Sequence, residues 1–69
     1  MLNIINVEDR NGNTVETKRF QSNKKAQGYV FANYIDTLLD HTWSDELVKS
    51  DRAEYGFISA RVHRVVVNN

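Results

Sequence analysis

The chain carries no cysteine, so its 69 residues must hold together by packing alone, with neither a disulfide framework nor a cysteine-bound zinc to staple them. A single core of this size rarely yields more than about 3 to 5 kcal/mol of net stability. Residues 1–69 are therefore expected to form one domain, too short for a dinucleotide-binding unit or a barrel. Nine basic residues balance nine acidic ones, which argues against a protein whose whole surface binds nucleic acid or mimics it. No apolar run approaches the roughly 20 residues of a membrane span, and the first residues lack the basic and apolar regions of a secretory signal. The expectation is a cytoplasmic protein with no membrane contact.

Met1 to Glu8 holds Leu2, Ile4, Ile5 and Val7, an apolar, β-branched run without helical spacing, and reads as a strand. Asn11-Gly12 then predicts a tight type I′ hairpin turn, in which both central residues take positive φ. Thr14 to Phe20 alternates as a second strand, with the charge content of a sheet edge. Ser22 or Asn23 can cap a helix running from Lys24 to about His41. Spacing at 100° places Phe31, Tyr34, Ile35, Leu38 and Thr42 on its apolar stripe, flanked by Val30 and Leu39, with Lys25, Tyr29, Asn33, Asp36 and Asp40 opposite. Gly28 near that stripe predicts a close approach of helix to sheet. Thr42 to Glu54 is polar and mixed, with a short helical turn possible after Ser44 and Trp43 as a plug for the core. Tyr55 to Val67 is the longest β-type run, expected to turn Ile58, Ala60, Val62 and Val66 toward the helix and Phe57, Ser59, Arg61, His63, Val65 and Val67 away from it.

The order strand, strand, helix, strand predicts an α+β fold of type ββαβ. Its simplest form is a three-stranded antiparallel sheet of order 2-1-3 with one helix packed on one face.

The chemistry-bearing residues do not assemble into a reaction centre. His41, expected in the last turn of the helix, is placed to interact with the helix dipole. His63 lies between Arg61 and Arg64 on the last strand, where neighbouring cations disfavour its charged form. Asp36 and Asp40 share a helix face but have no second carboxylate pair to complete an acid/base site. The glycines, at 12, 28 and 56 only, form no phosphate loop. Neither catalysis nor a metal or cofactor is expected. Binding is better supported: Arg61, His63 and Arg64 on the last strand, with Lys18 and Arg19 on the second, make a basic patch beside Phe57. Such a mixture of cation and aromatic suits single-stranded nucleic acid or a protein partner. Tyr29 on the polar helix face and Trp43 after it are further contact candidates, large aromatics being common in hot spots, with Tyr29 the better placed for exposure. The Val65-Val66-Val67 end of the last strand offers an open edge for a homodimer or a self-associating structural protein.

The stretch Val7-Glu8-Asp9-Arg10-Asn11-Gly12-Asn13-Thr14-Val15-Glu16, then a helix, then Gly56-Phe57-Ile58-Ser59-Ala60-Arg61-Val62, resembles small early proteins of bacteriophages. The layout is similar to the phage inhibitors that bind the jaw region of bacterial RNA polymerase. These also run hairpin, helix and a final strand opening Gly-Phe with an Arg-Val step. The resemblance implies a host bacterial protein as partner, RNA polymerase among them, with inhibition and altered transcription in the host cytoplasm as the consequence. The inhibitors' dependence on a charged strand surface maps here onto Arg61 and Arg64. The chain departs from that layout in a longer segment from Thr42 to Glu54 and a longer terminal strand. The leading expectation is thus a non-enzymatic effector docking a host protein through Phe57, Arg61, His63 and Arg64, with nucleic-acid binding as the alternative.

Overall fold

A computed structural model describes residues 1–52, 54 and 56–68. Strands β1 (Leu2–Glu8) and β2 (Thr14–Phe20) are followed by helix α1 (Asn23–Tyr34) and by strands β3 (Leu38–Lys49) and β4 (Phe57–Val67). The expected start of the last strand at Tyr55 lies outside the described residues. The helix packs on β1 and β2, on one face of a single sheet, so the α+β class is as expected.

The first hairpin closes differently from a type I′ turn. Among the described residues none other than glycine has positive φ, and within this loop only Gly12 does, at 85°. Asp9 organises the loop instead: its Oδ1 accepts from the backbone N–H of Asn11 at 2.8 Å and of Asn13 at 2.9 Å. Its carbonyl accepts from Gly12 N–H at 3.2 Å. A three-residue connection ending in a left-handed glycine fits the twist of the flanking strands equally well.

Ser22 caps α1, its Oγ accepting from Lys25 N–H at 3.2 Å. The helix stops at Tyr34, a full two turns short of the expected His41, and Leu38 to His41 enter β3. Its buried positions are Ala26 and Val30, with Tyr34 packed against the core. The expected stripe is therefore displaced around the helix: Phe31, Ile35 and Leu39 are exposed. Gly28 is exposed, and a Cβ added there would meet nothing within 4 Å, so close approach does not explain it.

Where a short helical turn after Ser44 is expected, Thr42 to Lys49 instead continue strand β3, and this changes the topology. The sheet has four strands in the order β2-β1-β4-β3, correcting the three-stranded 2-1-3 arrangement. Because β3 runs antiparallel to β4, the last strand arrives parallel to β1 rather than antiparallel to it. One missed strand reverses the direction of the next.

The face of β4 also differs from expectation. In register with β1, Ile5 stands beside His63 and Val7 beside Val65. Ile5, Val7 and Val65 pack with Val67, Ala26 and Val30 in the main core, joined by Phe20, Tyr34 and Leu38. Ala60 and Val62 lie on the opposite face with Ile4, covered by Leu2 and Val48. That second cluster forms where the β3–β4 hairpin curls across the sheet, bringing Asp51 at its tip into an ion pair with Arg19 on the far strand β2. Each face of β4 is consequently apolar over part of its length, Val65 and Val67 on one side and Ala60 and Val62 on the other, which blurs the alternation that would mark one side as buried.

On the far side of α1, Glu16 on β2 accepts hydrogen bonds from Tyr34 Oη at 2.5 Å and from Tyr29 Oη. Their donation holds the Glu16 carboxyl below its usual range. Among the described residues no helix is long and apolar enough to cross a membrane. With so small a core, Ile5→Ala at a fully buried position is expected to cost about 2 to 5 kcal/mol, against less than about 0.5 kcal/mol for Leu47→Ala on the surface. Urea unfolding followed by tryptophan fluorescence measures both.

Candidate functional site

One helix about 10 Å wide can cover only about two strands spaced at 4.8 Å. With α1 seated over β1 and β2, the outer part of β3 and β4 on the same side is left open. On it, moving away from the core, stand Trp43 opposite His63, Asp45 opposite Arg61, Leu47 opposite Ser59 and Lys49 opposite Phe57.

The inner end of this surface is an aromatic cluster over a buried histidine. His63 is fully buried. Its Nε2 lies 3.2 Å from Asn3 Oδ1. The Asn3 amide nitrogen donates to Met1 O at 3.0 Å, which turns the amide oxygen toward the ring and assigns the proton to Nε2. Trp43 covers the imidazole with ring centroids 3.6 Å apart, and His41 stands 4.7 Å from Trp43 and 6.0 Å from His63. Burial, with the neighbouring His41 and Arg61 adding to it, pushes the His63 pKa down to about 4. Burial also lowers that of His41, against the pull of Asp40. His63 Nδ1 and His41 Nε2 have no hydrogen-bond partner among the described residues.

The outer end is apolar and exposed. Leu47 keeps 73% and Phe57 66% of its surface accessible. Between these and Trp43 lies the Arg61–Asp45 ion pair, Nε to Oδ1 at 3.1 Å. Trp43, Ser44, Asp45 and Arg61 line a shallow open depression.

The expected contact residues do not converge on one surface. Phe57, Arg61 and His63 share the helix side of β4, but His63 is enclosed by Trp43 and cannot touch a partner. Arg64 lies on the opposite face, paired with Glu8. Arg19 is on that opposite face too, held by Asp51. Lys18 lies over the Tyr29 ring, 5.7 Å from its centroid, at the distant β2 edge. Tyr29 is half-buried there, its hydroxyl committed to Glu16. His41 sits in β3, not at a helix end, and Asp36 and Asp40 no longer share a helix face. Trp43 is not a plug at the end of the core but a cover over one histidine. Trp43, a contact candidate from its sequence, does lie at this surface; Leu47 and Asp45 join it only because residues 38–49 form a strand, for which alternation at Trp43, Asp45, Leu47 and Lys49 is the available signal.

Comparison with protein families, curated proteins and solved structures finds no match to this chain.

The enclosed His63 makes stability pH-dependent. Its folded pKa is about 4 against about 6.5 for an exposed histidine, so the unfolded chain binds the proton more readily. This group's contribution is complete above pH about 6.5 and is lost as pH falls toward 4, at up to about 1.4 kcal/mol per pH unit. Urea midpoints measured from pH 7.5 down to 4 should fall across this window, and a His63→Gln variant should show a shallower decline.

Proposed function

We propose that this chain is a non-enzymatic effector of the phage host-takeover type, which binds a host bacterial protein in the host cytoplasm and inhibits or redirects it. The observation that supports this reading is the outer face of the β3–β4 hairpin, where Trp43, Leu47 and Phe57 are exposed on a paired strand surface around Arg61. Tryptophan, arginine and large apolar side chains fixed on a rigid element have the composition of an interaction hot spot. Nothing in the fold of the domain requires Leu47 and Phe57 to be apolar, since neither belongs to a core cluster.

Protein docking is preferred to nucleic-acid binding because Arg19, Arg61 and Arg64 each carry a carboxylate partner, which reduces the free positive charge offered to phosphates. A nucleic-acid binder would show affinity falling steeply with added salt in a gel-shift assay.

RNA polymerase is the first target to try, given the resemblance in layout. Purified bacterial RNA polymerase and a bacterial lysate are each passed over the immobilised chain and over a Leu47→Asp, Phe57→Asp variant. The expected result is a partner, identified by mass, held by the natural chain and reduced at least tenfold on the variant, since each lost hot-spot contact is worth upward of about 1.4 kcal/mol. Equal retention on both would show that this surface is not the docking face. Arg61→Glu and Arg64→Glu, made as separate variants, distinguish the two faces, because only Arg61 lies on the hairpin's outer side.

A further inference from the structure

β4, whose Val65-Val66-Val67 end reads from the sequence as an open edge, lies between β1 and β3, so the free edges of the sheet are those of β2 and β3. β3 is the longer, at 12 residues against 7. It lacks the usual guards of an edge strand, having no proline and no bulge between Asp40 and Lys49. On β2 the charged side chains are engaged within the chain: Glu16 by Tyr29 and Tyr34, Lys18 over the Tyr29 ring, Arg19 by Asp51.

Ser50 N–H donates to Gly56 O at 2.8 Å, toward β4. Backbone groups alternate sides along a strand, so residues 42, 44, 46 and 48 also face β4, while Trp43, Asp45, Leu47 and Lys49 turn their N–H and C=O outward. No other described strand pairs with these groups.

A second copy can meet this edge antiparallel, about a two-fold axis normal to the sheet. Only registers centred on a residue set outward groups against outward groups, and like charges directly opposite are destabilising. Registers centred on Asp45, Glu46 or Lys49 set that charge opposite itself, and one centred on Val48 sets Asp45 opposite Asp51. Those centred on residues 41–44 draw into the ladder the His41 N–H, already bonded to Asp40 Oδ1 at 2.9 Å. The register centred on Leu47 meets none of these conflicts. It sets Asp45 opposite Lys49 on both sides of the axis, Leu47 against its own copy and Glu46 against Val48. About six main-chain hydrogen bonds then join Asp45, Leu47 and Lys49 to their symmetry mates. Arg61 holds Asp45 through Oδ1 alone and leaves the side chain 63% exposed, so the second carboxylate oxygen is open to the incoming ammonium. Leu47, exposed in the single chain, gains an apolar neighbour.

We propose that two copies of this chain pair through the outer edge of β3 about a two-fold axis at Leu47, forming one continuous sheet with both helices on the same side. This goes beyond the docking reading and does not depend on it.

Sedimentation equilibrium at rising concentration should show the natural chain passing from monomer to dimer. Lys49→Glu places a glutamate opposite Asp45, and Asp45→Lys places a lysine opposite Lys49; each should weaken self-association about tenfold. Mixed, the two variants set every acid of the paired rows opposite a lysine, and the heterodimer should recover the affinity of the natural chain. That recovery also shows both variants to be folded. Hydrogen exchange at the Asp45, Leu47 and Lys49 amides should slow as the natural chain is concentrated. A natural chain that stays monomeric to millimolar concentration, a dimer that both variants leave unchanged, a mixture no tighter than either variant alone, or protection at the β2 amides instead overturns the proposal. Neither substitution alters Trp43, Leu47 or Phe57, so failure of pairing and failure of docking are read separately.

Discussion

The structure depends on β4 lying between two strands of opposite sense, parallel to β1 on one side and antiparallel to β3 on the other. A strand in that position is lined by neighbours on both edges and must be apolar on both faces where it is covered. Ile5, Val7, Val65 and Val67 close one face under the helix; Ile4, Ala60 and Val62 close the other under the curled hairpin. Neither cluster is large. Dividing the apolar residues between two faces lets a short cysteine-free chain bury both sides of its central strand, and it ties the tip of the hairpin to the far edge through Arg19 and Asp51.

The exposed surface follows from the same arrangement. A single 12-residue helix reaches across two strands of a four-stranded sheet, and the remaining two carry their own cover. Near the core that cover is Trp43 lying on His63; further out there is none, and Leu47 and Phe57 stand in solvent. His63 occupies a place that an aliphatic residue would fill more cheaply in a larger protein. It is kept neutral by its surroundings, with Asn3 fixing its tautomer and, among the described residues, no carboxylate bonded to the ring. The hairpin thus carries a protonation-sensitive group directly beneath its exposed aromatic surface.

The sequence was legible where short-range physics decides the outcome. The first hairpin, the second strand, Ser22 as helix cap and the last strand all follow from local composition and capping chemistry. The failures share one cause. The edge strand β3 mixes polar and apolar residues and is exposed at most positions, because only one of its sides is paired and neither face is deeply covered, so its pattern resembles a loop. Once β3 is missed, the direction of β4, the face it turns to the helix and the burial of His63 all come out inverted. The helix stripe differs as well: Phe31 and Ile35 are apolar but exposed, and the buried helix positions are Ala26 and Val30.

For the candidate surface, Phe57 and Arg61 were visible as an aromatic and a cation on one parity of a strand, but their companions were not. Leu47, Trp43 and Asp45 join them only through cross-strand register, which depends on a pairing partner that no local pattern names. By itself the sequence determined a one-helix α+β domain with a charged, β-branched terminal strand, because turn chemistry, capping and alternation act within a few residues. Only the tertiary structure decided which side of that strand is buried, which arginines are neutralised by carboxylates and which backbone groups of β3 face outward. Each of these depends on which strand lies next to which, and strand neighbours are chosen by burial across the whole sheet.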